Sequence, residues 1–280
     1  GHARRGGSLN DLEDRSARMP ATPSSVARRF TEFSAITGLV VPTIAVLVLI
    51  GWTFGSPLLQ SFVPGWEATP ASTAIALLFG GASLRCLVSS RERWAAFAAT
   101  AGGLIVASMG AATLIDHFLG VDPSVGGRFL AGAPMTGTTA SGLLLIGTSL
   151  VILVVGGWPL IGQALAASAA LLALLGALGS VLRADAVFGV EGFYAAMEPL
   201  TSLTLLLLGL GTMCALPDRG PMAVAIDGGA AGTVMRRILP AAVLLLVVLD
   251  CAWTAAERLG WFPAGLGIPA LVTSNVAIIT

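Results

Sequence analysis

The chain contains no lysine; all fifteen of its basic side chains are arginine, a bias that reflects coding more than chemistry. It has one tyrosine, two histidines and three cysteines. Cys86, Cys214 and Cys251 stand in or beside apolar runs, at spacings that fit neither a zinc site nor a disulfide framework, so they read as small buried filler. Of the two histidines, His2 lies in the N-terminal tail, which leaves no pair for a two-histidine haem site. Charge is scarcest of all. Only 11% of the 280 residues are charged, and the formal net charge is zero. Such a balance carries no electrostatic footprint for nucleic acid, and no nucleic-acid partner is expected.

Apolar residues fill the space that charge leaves. They make up 55% of the chain, and the mean hydropathy is +0.88. A soluble domain of this length cannot bury so much apolar surface, so lipid must be part of the solvent. The pattern predicts an all-α, polytopic helical membrane protein with about eight transmembrane helices arranged as repeated hairpins. The apolar runs cover residues 35–54, 71–88, 94–114, 138–155, 160–182, 200–216, 238–256 and 262–280. Pro42 falls inside the first as a kink that membrane helices tolerate. Run 200–216 just suffices to cross a hydrocarbon core of about 30 Å at about 1.5 Å per residue. Gly156-Gly157-Trp158-Pro159 predicts a tight reversal between the fourth and fifth spans.

A spaced frame recurs along the chain. Met197, Thr201 and Gly209 stand at fixed intervals, and Met135, Thr139 and Gly147 repeat them. Thr69, Thr73 and Gly81 form a third copy, with threonine in the methionine place. A second landmark precedes each copy: Phe54-Gly55, Leu119-Gly120 and Phe188-Gly189, with Leu259-Gly260 later. Residues 34–280 therefore read as one transmembrane domain of four hairpins.

The first 33 residues are a basic, Pro- and Gly-rich tail that cannot bury a core of its own. A short helix over residues 24–33 is expected to lie on the membrane surface, with Val26, Phe30 and Phe33 towards lipid. No cleavable signal is expected, because about thirty polar residues precede the first run. Twelve arginines fall in the tail, the 85–93 turn and the 219–237 connection, against three (Arg128, Arg183 and Arg258) in the opposite loops. The positive-inside rule then places both termini on the cytoplasmic side of the membrane.

Few residues carry chemistry. His117, beside Asp116, reads better as an interfacial hydrogen-bonding group than as a metal or haem ligand. Asp250 lies within an apolar run, where an acid is expensive and needs a partner. A hydrogen bond to Thr or Ser of a neighbouring span is the preferred reading, and a proton-sensing or ligand-binding carboxyl is the other. Acids in the loops, among them Glu67, Asp122, Asp185, Glu191, Glu198 and Glu257, are scattered and read as solvated surface. Gly126-Gly127 and Gly228-Gly229 lack the strand and Lys context of a phosphate loop. No nucleophile, base and oxyanion set can be assembled, so no enzyme, cofactor or metal site is expected.

From Tyr194 to about Ala264 the chain resembles the membrane-embedded sensory region that precedes PAS and histidine kinase modules in bacterial signalling proteins. The residues that carry the likeness are Met197, Thr201, Leu208-Gly209-Leu210-Gly211, Pro217-Asp218-Arg219-Gly220, Met222, the turn 228–232, Arg236-Arg237, Leu239-Pro240-Ala241 and Glu257-Arg258-Leu259-Gly260. The two earlier hairpins fit more loosely. The resemblance implies a non-catalytic input module. The tail points elsewhere, since a segment of that composition orders on a partner surface. It would dock through Arg15, Arg18, Arg28, Arg29 and Phe30 on lipid head groups or on other integral membrane protein subunits. Two functions follow: an accessory or scaffolding subunit of a larger membrane complex, photosynthetic or respiratory, and alternatively the sensory input domain.

Overall fold

The computed structural model describes residues 25–63, 66–89, 92–119, 135–182, 197–226 and 232, and every regular element among them is helical. Helix α1 (Ser25–Phe54) runs unbroken for 30 residues. The expected surface helix and first span are thus one element. No glycine or proline interrupts residues 25–37, and the buried stripe Ala27, Ser34, Thr37, Gly38, Val41, Ala45 and Val48 continues through the junction. Packing along that stripe carries the helix across. At about 1.5 Å per residue, α1 matches the roughly 40–45 Å of core plus head groups.

The loop after α1 folds back on it. Helix α2 (Pro57–Ser61) starts on proline and ends at Phe62, whose φ of 61° is the left-handed cap. Gly51 admits it: a Cβ there would sit 2.7 Å from Leu59 Cβ. The Trp52 indole donates to the Thr69 carbonyl at 2.9 Å, and Thr69 N–H donates to Gln60 O at 3.1 Å.

Four more long helices follow: α3 (Ala71–Ser89), α4 (Arg93–Leu119), α5 (Gly137–Val155) and α6 (Pro159–Leu182). Local chemistry sets the bounds of α5 and the start of α6. Thr136 caps α5 by accepting from Thr139 N–H, Gly156 ends it at φ 78°, and Pro159 opens α6 where its missing N–H costs nothing. Helix α4 outlasts the expected third span and takes Asp116 and His117 into its last turn. Helix α7 (Pro199–Met213) stops three residues short of the apolar run, and α8 (Pro221–Ile226) follows a turn. Five helices, α1 and α3 to α6, are long and apolar enough to cross a membrane, and α7 is apolar but shorter. The seventh and eighth predicted spans lie outside the described residues.

Neighbours in sequence pair antiparallel: α1 with α3, α4 with α5, α6 with α7. Each pair then leans on the next, α3 on α4 and α5 on α6, and α7 closes the ring against α1. Helices α3, α5 and α7 also touch one another at the centre. Among the described residues, three outer and three inner helices thus alternate about a quasi-three-fold axis.

The repeated frame is the sequence record of that axis. Thr73, Thr139 and Thr201 are all fully buried on the inner helices, and four residues on so are Leu77, Leu143 and Leu205. The frame glycines each face the outer helix of their own pair. Gly81 meets the Pro42 ring, Gly147 the backbone of Gly103 and Ala107, and Gly209 that of Ala166 and Ala170. Two residues later the inner helix faces the next pair instead. Ser83 donates to Ala99 O at 2.6 Å, Ser149 donates to Gly162 O at 2.7 Å, and Gly211 lies against Thr37. Lipid supplies no hydrophobic drive between helices, so close approach at small residues and such interhelical bonds hold the bundle.

Candidate functional site

Helix α7 carries polar chemistry at both ends. Its N-cap is Glu198, which directly follows the frame residue Met197 and corresponds to Thr136 of the preceding copy. The side chain is 6% exposed, and its Oε2 has no hydrogen-bond partner. One turn on, the Thr201 hydroxyl donates to Thr69 Oγ1 at 3.4 Å, across to the segment that leads into α3. Thr73 Oγ1, deeper on α3, is also buried without a partner. Glu198 precedes the apolar run, and its carboxyl is pushed above the ordinary value of 4.5. Burial is the chief cause; its own backbone N–H and the Thr201 hydroxyl oppose it, and the charge of Glu67 adds to it.

The other end of α7 is held by an amide. Gln163, on the first turn and a half of α6, is 1% exposed. Its Nε2 donates to Leu216 O at 3.0 Å and to Arg219 O at 2.9 Å, and its Oε1 accepts from Met222 N–H at 3.2 Å. One side chain thereby satisfies three backbone groups of the turn that leaves α7. Gly220, at φ 62°, sits where a Cβ would lie 2.7 Å from Gln163 Oε1. This is why glycine ends the Pro217-Asp218-Arg219-Gly220 turn. The arginines among the described residues, Arg28, Arg29, Arg85, Arg93 and Arg219, all lie at this end of the bundle, away from Glu198.

The structure therefore brings together the frame residues Thr73, Gly81, Met135, Thr139, Gly147, Met197, Thr201 and Gly209 as core rather than as a binding surface. Asp116 and His117 end α4 near the surface, where the His117 and Phe118 rings meet edge-on at 6.2 Å. Among the described residues no three His, Cys, Asp or Glu gather as metal ligands. Phe30 packs inside the chain against Cys214 and Met222, while Arg28 and Arg29 are exposed and Arg28 pairs with Glu32 at 3.3 Å. Arg15, Arg18 and Asp250 lie outside the described residues.

Glu198 departs from the reading of loop acids as solvated surface. Its place one residue after a frame methionine is the signal that separates it from the others. Gln163 escaped sequence reasoning altogether; a lone amide inside an apolar run was the available sign. No known protein family, curated protein or solved structure matches the chain.

Proposed function

We propose that this chain is the membrane-embedded sensory input module of a bacterial signalling protein, non-catalytic, with eight spans in four hairpins and both ends cytoplasmic. One observation carries the reading: α7 joins a buried, incompletely partnered acid at one end of the bundle to a clamped turn at the other. A helix tied at both ends passes a disturbance at the first to the second. The clamped turn is also the Pro-Asp-Arg-Gly segment on which the resemblance to sensory regions rests. The accessory-subunit reading draws on the tail and on Phe30. The tail lies mostly outside the described residues, and Phe30 is engaged within the chain.

The test is a distance. With spin labels at Ser89 and Asp218, both exposed at the arginine end, the separation in lipid nanodiscs should change when solutes or pH are varied at the opposite face. An unchanged separation under every condition, with partner subunits retained in stoichiometric amount on purification from native membrane, returns the accessory-subunit reading. Topology is checked independently. Single cysteines at positions 90 and 230 should resist an outside-only reagent, and cysteines at 125 and 190 should react; the reverse pattern inverts the assignment.

A further inference from the structure

We propose that Glu198 is a proton-binding switch: buried at the start of α7 with its Oε2 unpartnered, it takes up and gives back one proton on its side of the membrane, turning a buried charge off and on. The proton response rests on the sensory reading for its use to the cell, though not for its chemistry.

The geometry begins with an imbalance. A buried carboxylate is costly unless a cation or several donors compensate it. The Oε2 of Glu198 faces no donor. The titratable and charged groups on the elements packed against α7 do not help. The loop ahead of α3 contributes Glu67, a like charge. Helices α5 and α6 carry no charged residue at all, and the charged residues of α1 lie in its first turns, at the arginine end. Asp116 and His117 end α4, which packs on α3 and α5. Among the described residues no cation faces the carboxyl, and Met197, Leu200, Thr201 and Thr69 around it are all buried, so the charge that fits from solution is a small one. A proton meets both conditions.

The hydroxyl of Thr201 has one proton to give. In the structure it goes to Thr69 Oγ1, over a long 3.4 Å. A proton taken from water on Oε2 removes the buried charge and makes the carboxyl itself a donor. No bond other than O–H is made or broken.

The direction with pH follows by linkage. Because the folded protein holds this proton more tightly than the unfolded chain, the stability it confers is complete below the ordinary carboxyl value. It is lost as pH rises through the folded-state value. The full chain in lipid nanodiscs, titrated from about pH 4 to about pH 8, should show a melting temperature that falls with rising pH and an infrared carbonyl band of a protonated acid that disappears in step. Glu198→Gln should abolish that band and flatten that part of the melting profile. Glu67→Gln should keep the band and move its loss to lower pH, since a like charge has been removed. A carboxylate that stays ionised throughout the range, neutralised by an arginine or a metal cation, overturns the switch. So does a Glu198→Gln protein with the pH profile of the parent. If Glu198→Gln does not fold, Glu67→Gln decides alone, and an unmoved titration overturns it. The sensory reading fails separately, when no solute at constant pH and no change of pH moves the Ser89–Asp218 distance.

Discussion

Replacing Gln163 with leucine should cost about 2 kcal/mol or more, because it strands the Arg219 carbonyl and the buried Met222 N–H and leaves Leu216 O with only the Arg219 N–H. Each unsatisfied backbone group costs about 1–3 kcal/mol, and the apolar surface that leucine adds in exchange recovers only part of the sum. The three partners, Leu216, Arg219 and Met222, belong to a turn with few other ties. Loss of the clamp should therefore show first as local opening. Tryptic cleavage after the exposed Arg219 should accelerate in Gln163→Leu well below the melting temperature, while the parent protein resists. Gln163→Glu is a sharper probe. A carboxylate can accept from Met222 N–H but gives nothing to the two carbonyls, and it adds a charge where burial is nearly complete, so it should be at least as damaging. Equal cleavage rates in all three proteins would show that the turn is held by something other than this amide.

A comparable loss is expected at Gly147, and Gly80 supplies the comparison. A Cβ at residue 147 would collide with Ala107 N and lie 2.6 Å from Gly103 O, both backbone atoms of α4. Backbone cannot step aside, so the whole of α4 must move away from α5. Overpacking of this kind costs about 1–3 kcal/mol, against which alanine returns up to about 1 kcal/mol of helix propensity. Gly147→Ala should therefore lose about 1–2 kcal/mol net. At Gly80 the nearest atom is Leu208 Cδ2 at 2.9 Å, the tip of a side chain that can rotate, so Gly80→Ala should fall near neutral. Melting in detergent distinguishes the two, and equal losses would refute the backbone-contact argument.

These two sites differ in how much of them the sequence discloses. Gly147 is legible: it recurs with Gly81 and Gly209 at a fixed distance from a buried threonine, and periodicity is what a sequence records well. The limits of α5 are legible for a local reason too, since Thr136 and Gly156 carry their capping chemistry within a few residues of the ends. What periodicity omits is the partner. The three frames announce equivalent helices without saying that those helices meet at a common centre. Gln163 is hidden for the same reason, because the groups it satisfies lie more than fifty residues away in the chain. Glu198 looks like any loop acid until Met197 and Thr201 are seen buried on either side of it. The continuity of the helix across the junction of tail and first span is not legible, because Arg28, Arg29 and Glu32 make the first turns look like surface. The stripe of Ala27, Ser34 and Thr37 beneath them is what continues the helix.

The closure of the ring by α7 against α1 also orders events in time. Membrane helices enter the bilayer as they are synthesised, N-terminal first. Three of the contacts, α1 with α3, α4 with α5 and α6 with α7, join neighbours in the chain and form as soon as each pair is inserted. The contact between Thr37 and Gly211 joins the first long helix to the last inner one, and loop closure over that separation is entropically the slowest. Until α7 arrives, the face of α1 that carries Thr37 has only lipid beside it. The nascent bundle is then an open arc with one polar edge, which chaperones and insertion machinery can hold, and the last inner helix acts as its latch.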